Sequence, residues 1–185
     1  MKRLIFVSFA LAAVLTGCGG RELTDVTLIQ TVGVDGAQPV SLTAVGEEEA
    51  ETACYQTQGE TLDQARQQLR ELGSTRLEVT HVAQLVLGPD VPVAEVLWQE
   101  LTHRDSGYGA TVWLTLDEPA GELLAQAADP CRRLAAMEQN GSVSPPTLLE
   151  ALSTLTREGQ VTLPVLEREG EELRWAGTRT IKEEM

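Results

Sequence analysis

The 185-residue sequence predicts an α/β (α+β) fold, one mixed β-sheet with helices packed on it. Three observations predict this. Runs rich in Val, Ile, Leu and Thr alternate along the chain with stretches whose apolar residues recur at helical spacing. Clusters of Gly, Pro and Asp punctuate the boundaries between them. No internal repeat or low-complexity tract competes with that pattern.

Val26 to Val34 reads as the first strand; Asp35-Gly36 is a turn signal, and Val40 to Gly46 returns as the second strand of a hairpin. Thr52 to Thr57 suits a third strand. Leu62, Ala65, Leu69 and Leu72 share one helical face, with Thr61 and Gln64 spaced as a capping box and Gly73 as the stop. Thr80 to Leu87 reads as an apolar strand closed by Gly88-Pro89. Asp90 and Pro92 open a second helix, whose stripe is Val93, Val96, Leu97 and Leu101. From Ala110 to Leu116 the chain alternates, Val112, Leu114 and Leu116 on one side and Thr111, Trp113 and Thr115 on the other. A helical pattern runs on from Pro119 through Leu123, Leu124, Ala127, Leu134 and Met137. Gly141 to Pro146 is a linker-like break, followed by a helix over Thr147 to Thr156 and two short strands, Val161 to Glu167 and Glu172 to Ala176. Pro164 lacks an N–H and places the first of these at a sheet edge.

The first residues carry a different signal. Lys2 and Arg3 precede an uncharged, mostly apolar run from Leu4 to Leu15. That run is about 12 residues, suited to an export signal and short of the roughly 20 that span a bilayer. It ends Leu15-Thr16-Gly17-Cys18, a bacterial lipobox: small residues admit the peptidase, and the thiol receives the lipid through a thioether. The expected organisation is a signal peptide over 1–17, a lipidated tether over 18–25 starting at Cys18, a main domain over 26–140, and a segment over 141–185 that continues or flanks it. The expected location is the outer face of the cytoplasmic membrane, held by lipid and not by a spanning helix.

With 28 acidic against 14 basic residues, the chain stands at −14 at pH 7. Loss of Lys2 and Arg3 makes it more negative still, which excludes nucleic acid as a partner and any basic patch as a membrane contact. The acidic cluster Glu47, Glu48, Glu49 and Glu51 lacks the Asp/Asn/Gly spacing of a calcium loop and reads as solvated. Cys54 and Cys131 remain beside Cys18. Outside the membrane they can form a disulfide, or stand as two small buried thiols.

Catalytic chemistry is not encoded in any recognisable constellation. The two histidines, His81 and His103, stand in no metal-ligand spacing, and no nucleophile elbow, phosphate loop or dinucleotide fingerprint occurs. A Cys54–His81 pair is the one nucleophile–base combination on offer, and nothing local brings the two together. Trp98, Trp113 and Trp175 can stack a ligand or pack a core. The residues predict a tethered binding or scaffolding domain with no enzymatic activity, metal or cofactor.

Several segments resemble, in order, the Ger(x)C spore-germination lipoproteins. Cys18-Gly19-Gly20-Arg21-Glu22-Leu23 followed by Leu28-Ile29-Gln30-Thr31-Val32-Gly33-Val34-Asp35 resembles that family's start, although Gly19-Gly20 stands where the family commonly has Trp-Asp. Gly59 to Ala65 is similar to its Gly-x-Thr-x-x-x-Ala helix start, His81 to Gly88 to its His-led strand, and Leu101 to Asp105 to its Arg-Asp segment. Pro145 to Leu155, Leu163-Pro164-Val165-Leu166 and Trp175-Ala176-Gly177-Thr178 follow in the family's sequence. The matched polar positions are Arg21, Glu22, Asp35 and His81, for which tether, turn and core hydrogen bonding are the alternative roles. The resemblance covers the family's N-terminal region, and its large C-terminal domain is expected to be absent. It implies a non-enzymatic C subunit of a germinant receptor on the spore inner membrane. The implied partners are two integral-membrane subunits, the transporter-like A type and the channel-forming B type. An extracytoplasmic ligand-binding lipoprotein, or a truncated paralogue without function, is the alternative.

Overall fold

The computed structural model describes residues 26–48, 51–72, 76–103 and 107–182. The signal, the tether, Cys18, Arg21, Glu22, Glu49, Gly73 and Arg104-Asp105 lie outside the described residues.

The described residues form eight strands of one mixed sheet: β1 Val26–Asp35, β2 Val40–Glu48, β3 Glu51–Gly59, β4 Arg76–Glu78, β5 Gln84–Leu87, β6 Thr111–Thr115, β7 Gln160–Glu169 and β8 Glu172–Lys182. The order is β3-β2-β1-β5-β6-β7-β8, with β4 pairing the start of β1. The central strands β1, β5, β6 and β7 run parallel, and antiparallel hairpins close both sides, β1–β2–β3 on one and β7–β8 on the other. The fold class is therefore mixed α/β, as the alternation of patterns predicts.

Both faces are covered. Helices α1 (Leu62–Glu71), α2 (Val93–Thr102) and α5 (Leu148–Glu158) set their apolar stripes on one face, over Ile29, Val34, Leu42, Leu87 and Val112. Helices α3 (Ala120–Gln126) and α4 (Pro130–Gln139) cover the other, around Val45, Val86, Trp113 and Leu166. A strand buried on both sides loses the apolar/polar alternation of a half-exposed one. That is why Trp113, on the polar side of its strand by pattern, is fully buried, while Leu116 just beyond β6 is exposed. Its indole N–H is satisfied within the strand: Trp113 Nε1 donates to Thr111 Oγ1 at 3.2 Å.

Several expectations are corrected. The strand expected over Thr80 to Leu87 forms only from Gln84, and His81 lies in an exposed turn. The long helical pattern after Pro119 divides in two: the first helix ends at Gln126, with Ala127 extended, and Asp129, at a φ of 50°, precedes Pro130 at the start of the next. After the break at Gly141 to Pro146 the chain returns to the same sheet. Pro146 O accepts from Val112 N at 2.9 Å, Leu148 N donates to Ala110 O at 2.7 Å, and β7 then joins the same sheet beside β6. β7 and β8 are long, and β7 is interior. Its ladder with β6 begins only at Val165, so Pro164 stands just before the position where a missing N–H would interrupt that pairing.

Helix starts follow their caps. Thr147 Oγ1 accepts from Glu150 N at 3.3 Å and Glu150 Oε2 accepts from Thr147 N at 2.9 Å, a reciprocal box. Thr147→Ala is expected to lower stability by about 1 kcal/mol, read by thermal unfolding. At α1, Thr61 caps Gln64 N as its spacing predicts, but the Gln64 side chain accepts from Glu60 N and not from Thr61.

Candidate functional site

The parallel strands β1 and β5 end beside one another, the edge at which open α/β sheets generally receive ligands. Asp35 closes β1 there. Its Oδ1 accepts from Ala120 N at 2.6 Å and its Oδ2 from Gly121 N at 2.7 Å, so one carboxylate caps the N-terminus of α3 from 85 residues away in sequence. Three glycines make this possible. A Cβ on Gly88 would lie 1.9 Å from Asp35 Oδ1, one on Gly121 would lie 2.3 Å from Thr43 Oγ1, and one on Gly33 would press on Leu124 and Ala120 of α3. The Gly33-Val34-Asp35 and Gly88 motifs of the sequence thus meet at a single joint between sheet and helix.

Around that joint lies an open depression of about 570 Å³, lined by Asp35, Ser41, Thr43, Gln58, Asp90 and Glu122 among others. Helix N-terminal N–H groups attract anions, but here Asp35 already holds that place, and Asp90 and Glu122 add negative charge beside it. The site is built as a structural cap.

Burial raises the Asp35 carboxyl above its ordinary 3.8, against the opposing pull of the Gly121 and Ala120 N–H groups. The sign of the linkage follows. As pH rises past 3.8 the unfolded carboxyl ionises first, so the stability this group contributes falls until the folded carboxyl ionises too, and is then constant. Subtracting the pH–stability curve of Asp35→Asn from that of the wild type should show this fall in the acid range.

His81 takes no part in this joint and does not make the core hydrogen bond considered for it, because it is exposed. It is also remote from Cys54. Cys54 lies on β3 and His81 in the turn before β5, and β2 and β1 stand between those two strands. His103, at the end of α2, has Nε2 3.4 Å from Arg70 Nη2. Among the described residues no three His, Cys, Asp or Glu side chains form a metal-binding group, and no helix is long and apolar enough to cross a membrane.

The Cys54–Cys131 bond is not formed, and the thiols are not both buried: Cys54 is exposed on β3, and Cys131 is buried. Cys131 turns inward from α4, its Sγ 3.3 Å from Thr31 Oγ1 and 3.6 Å from the carbonyl oxygen of Val45, the residue that pairs with Cys54 across β2 and β3. Burial pushes both thiols above the ordinary 9.0. In the native protein a thiol reagent should modify the exposed Cys54 before the buried Cys131, and faster as pH rises, with Cys131 reacting only on unfolding. Mass spectrometry of the labelled peptides reads the difference.

Sequence reasoning missed one feature. Between α1 and α2 lies a small, mainly apolar cavity of about 40 Å³, walled by Leu69, Val82, Leu85 and Leu148 and closed on one side by an ion pair, Arg66 with Glu100. Both side chains are about 11% exposed, and Arg66 Nη1 also donates to Asp63 at 3.2 Å. The available signal was Glu100 itself, at helical spacing from Val93, Val96 and Leu97 on the stripe of α2. A volume of 40 Å³ has room for water and not for a substrate. The three tryptophans do not converge: Trp98 is exposed on α2, Trp113 is enclosed by the opposite layer, and Trp175 is half-exposed on the edge strand β8. Compared with models of known families, with curated proteins and with solved structures, the chain finds no match.

Proposed function

We propose that the chain is a lipid-anchored, non-enzymatic accessory subunit of a spore germinant receptor. In this reading Cys18 carries the lipid at the outer face of the spore inner membrane, and the α/β domain docks on the transporter-like and channel-forming membrane subunits. The observation that carries the reading is the lipobox at Cys18 followed by the ordered Ger(x)C-like segments from Arg21 to Thr178. A domain whose most tightly built joint, at Asp35, is an internal cap suits a scaffold better than an enzyme. The large negative charge leaves the lipid as the means of membrane attachment.

In spores that carry Cys18→Ala in place of the wild-type gene, the protein is expected to leave the membrane fraction, and nutrient-triggered germination to slow. Unchanged membrane association would remove the anchor from the reading. Unchanged germination in spores lacking the gene altogether, with no full-length relative to substitute, would remove the receptor role.

A further inference from the structure

The two edges of the sheet are finished differently. β8 carries Arg179 and Lys182, and its register shifts beside Trp175 and Gly177, where φ is 122°. Charged side chains and bulges of this kind keep an edge strand from pairing further. β3 has neither. It pairs with β2 residue for residue, from Val40↔Gly59 to Glu48↔Glu51, with no shift of register. Within Glu51–Gly59 there is no Pro, Lys or Arg, and Glu51 is the one charged residue.

Its two faces differ as well. Tyr55 and Thr57 are partly buried on the α1 side, where Thr57 Oγ1 donates to Ala65 O at 2.8 Å. Thr52, Cys54, Gln56 and Gln58 are exposed on the other, because α3 and α4 rest chiefly on β1, β2 and β8. The outer backbone of β3 is therefore a regular, nine-residue hydrogen-bonding edge with polar flanks.

We propose that this edge pairs with the same edge of a second copy of the chain, β3 antiparallel to β3 about a two-fold axis. The chemistry selects a second copy over a charged partner. Thr52, Gln56 and Gln58 on the exposed face each carry a donor and an acceptor, so the face can complement the same face of a second copy. In a register centred on Tyr55, Thr52 meets Gln58, Ala53 meets Thr57, and Glu51 faces Gly59, so no two carboxylates stand directly opposite. Glu48 and Glu60 flank the ends of the strand, so the association strengthens as ionic strength rises.

The test is sedimentation equilibrium of the full chain in density-matched detergent, at increasing concentration and salt. The expected result is a monomer–dimer equilibrium favoured by salt. The variant Thr52→Lys/Gln58→Lys places cations on the edge, and should weaken dimerisation at least about tenfold while its circular dichroism is unchanged. A chain that stays monomeric throughout overturns the proposal. So does a dimer that is equally tight in the variant, which would lie on another surface.

Discussion

Glu100→Ala is expected to lower the stability of the domain by about 3 kcal/mol or more. Arg66 and Glu100 join α1 to α2 with both side chains almost wholly buried. Taking two charges out of water is costly, and their mutual attraction offsets that cost only while both are present. Removing the carboxylate leaves the guanidinium in a mainly apolar wall, beside only the exposed Asp63 at 3.2 Å. The double exchange Arg66→Met/Glu100→Leu removes the desolvation cost together with the attraction, and is expected to lie close to the wild type. Urea unfolding of the four proteins forms a double-mutant cycle. A double variant as unstable as the sum of the singles would show that the two groups do not act as a pair.

Trp113→Ala is expected to cost about 3–5 kcal/mol, the range for a buried aromatic cut to a methyl group. Trp113 is fully buried at the centre of the α3/α4 layer, against Val86, Leu134 and Leu166. Trp98→Ala, on the solvent side of α2 at 60% exposure, should stay within about 0.5 kcal/mol of the wild type. Thermal unfolding followed by circular dichroism measures both. Equal losses would mean that α3 and α4 do not cover the sheet as described.

What was legible from the residues alone divides by how local the determining physics is. The β1–β2 hairpin, α1, α2 and α5 were readable because turn chemistry, caps and apolar spacing act within a few residues. The role of Pro164 was not. A proline forbids a hydrogen bond, but whether that bond is needed depends on where the ladder with β6 begins, 50 residues away. Trp113 takes the core-packing role open to it, but its strand pattern could not show this, since period-two alternation indicates the buried side only when one side of a sheet meets water. At the candidate site, Asp35 stood out in the sequence as a turn residue and as a motif position. Its bond to the N-terminus of α3 depends on long-range contacts with Ala120 and Gly121 and on the glycines that leave it room. The thiols show the same limit, since an even count permits a bond, but only the placement of β3 and α4 decides whether Cys54 and Cys131 can form one.

The receptor reading makes its strongest claim about company, so the decisive measurement is affinity isolation of the lipidated protein from detergent-solubilised spore membranes, with its co-purifying proteins identified by mass spectrometry. Recovery of a transporter-like and a channel-like membrane protein, in amounts comparable to the chain itself, is the predicted result. Recovery of the chain alone, from membranes in which it is abundant, would contradict the receptor role and leave a lipid-anchored domain whose function lies elsewhere.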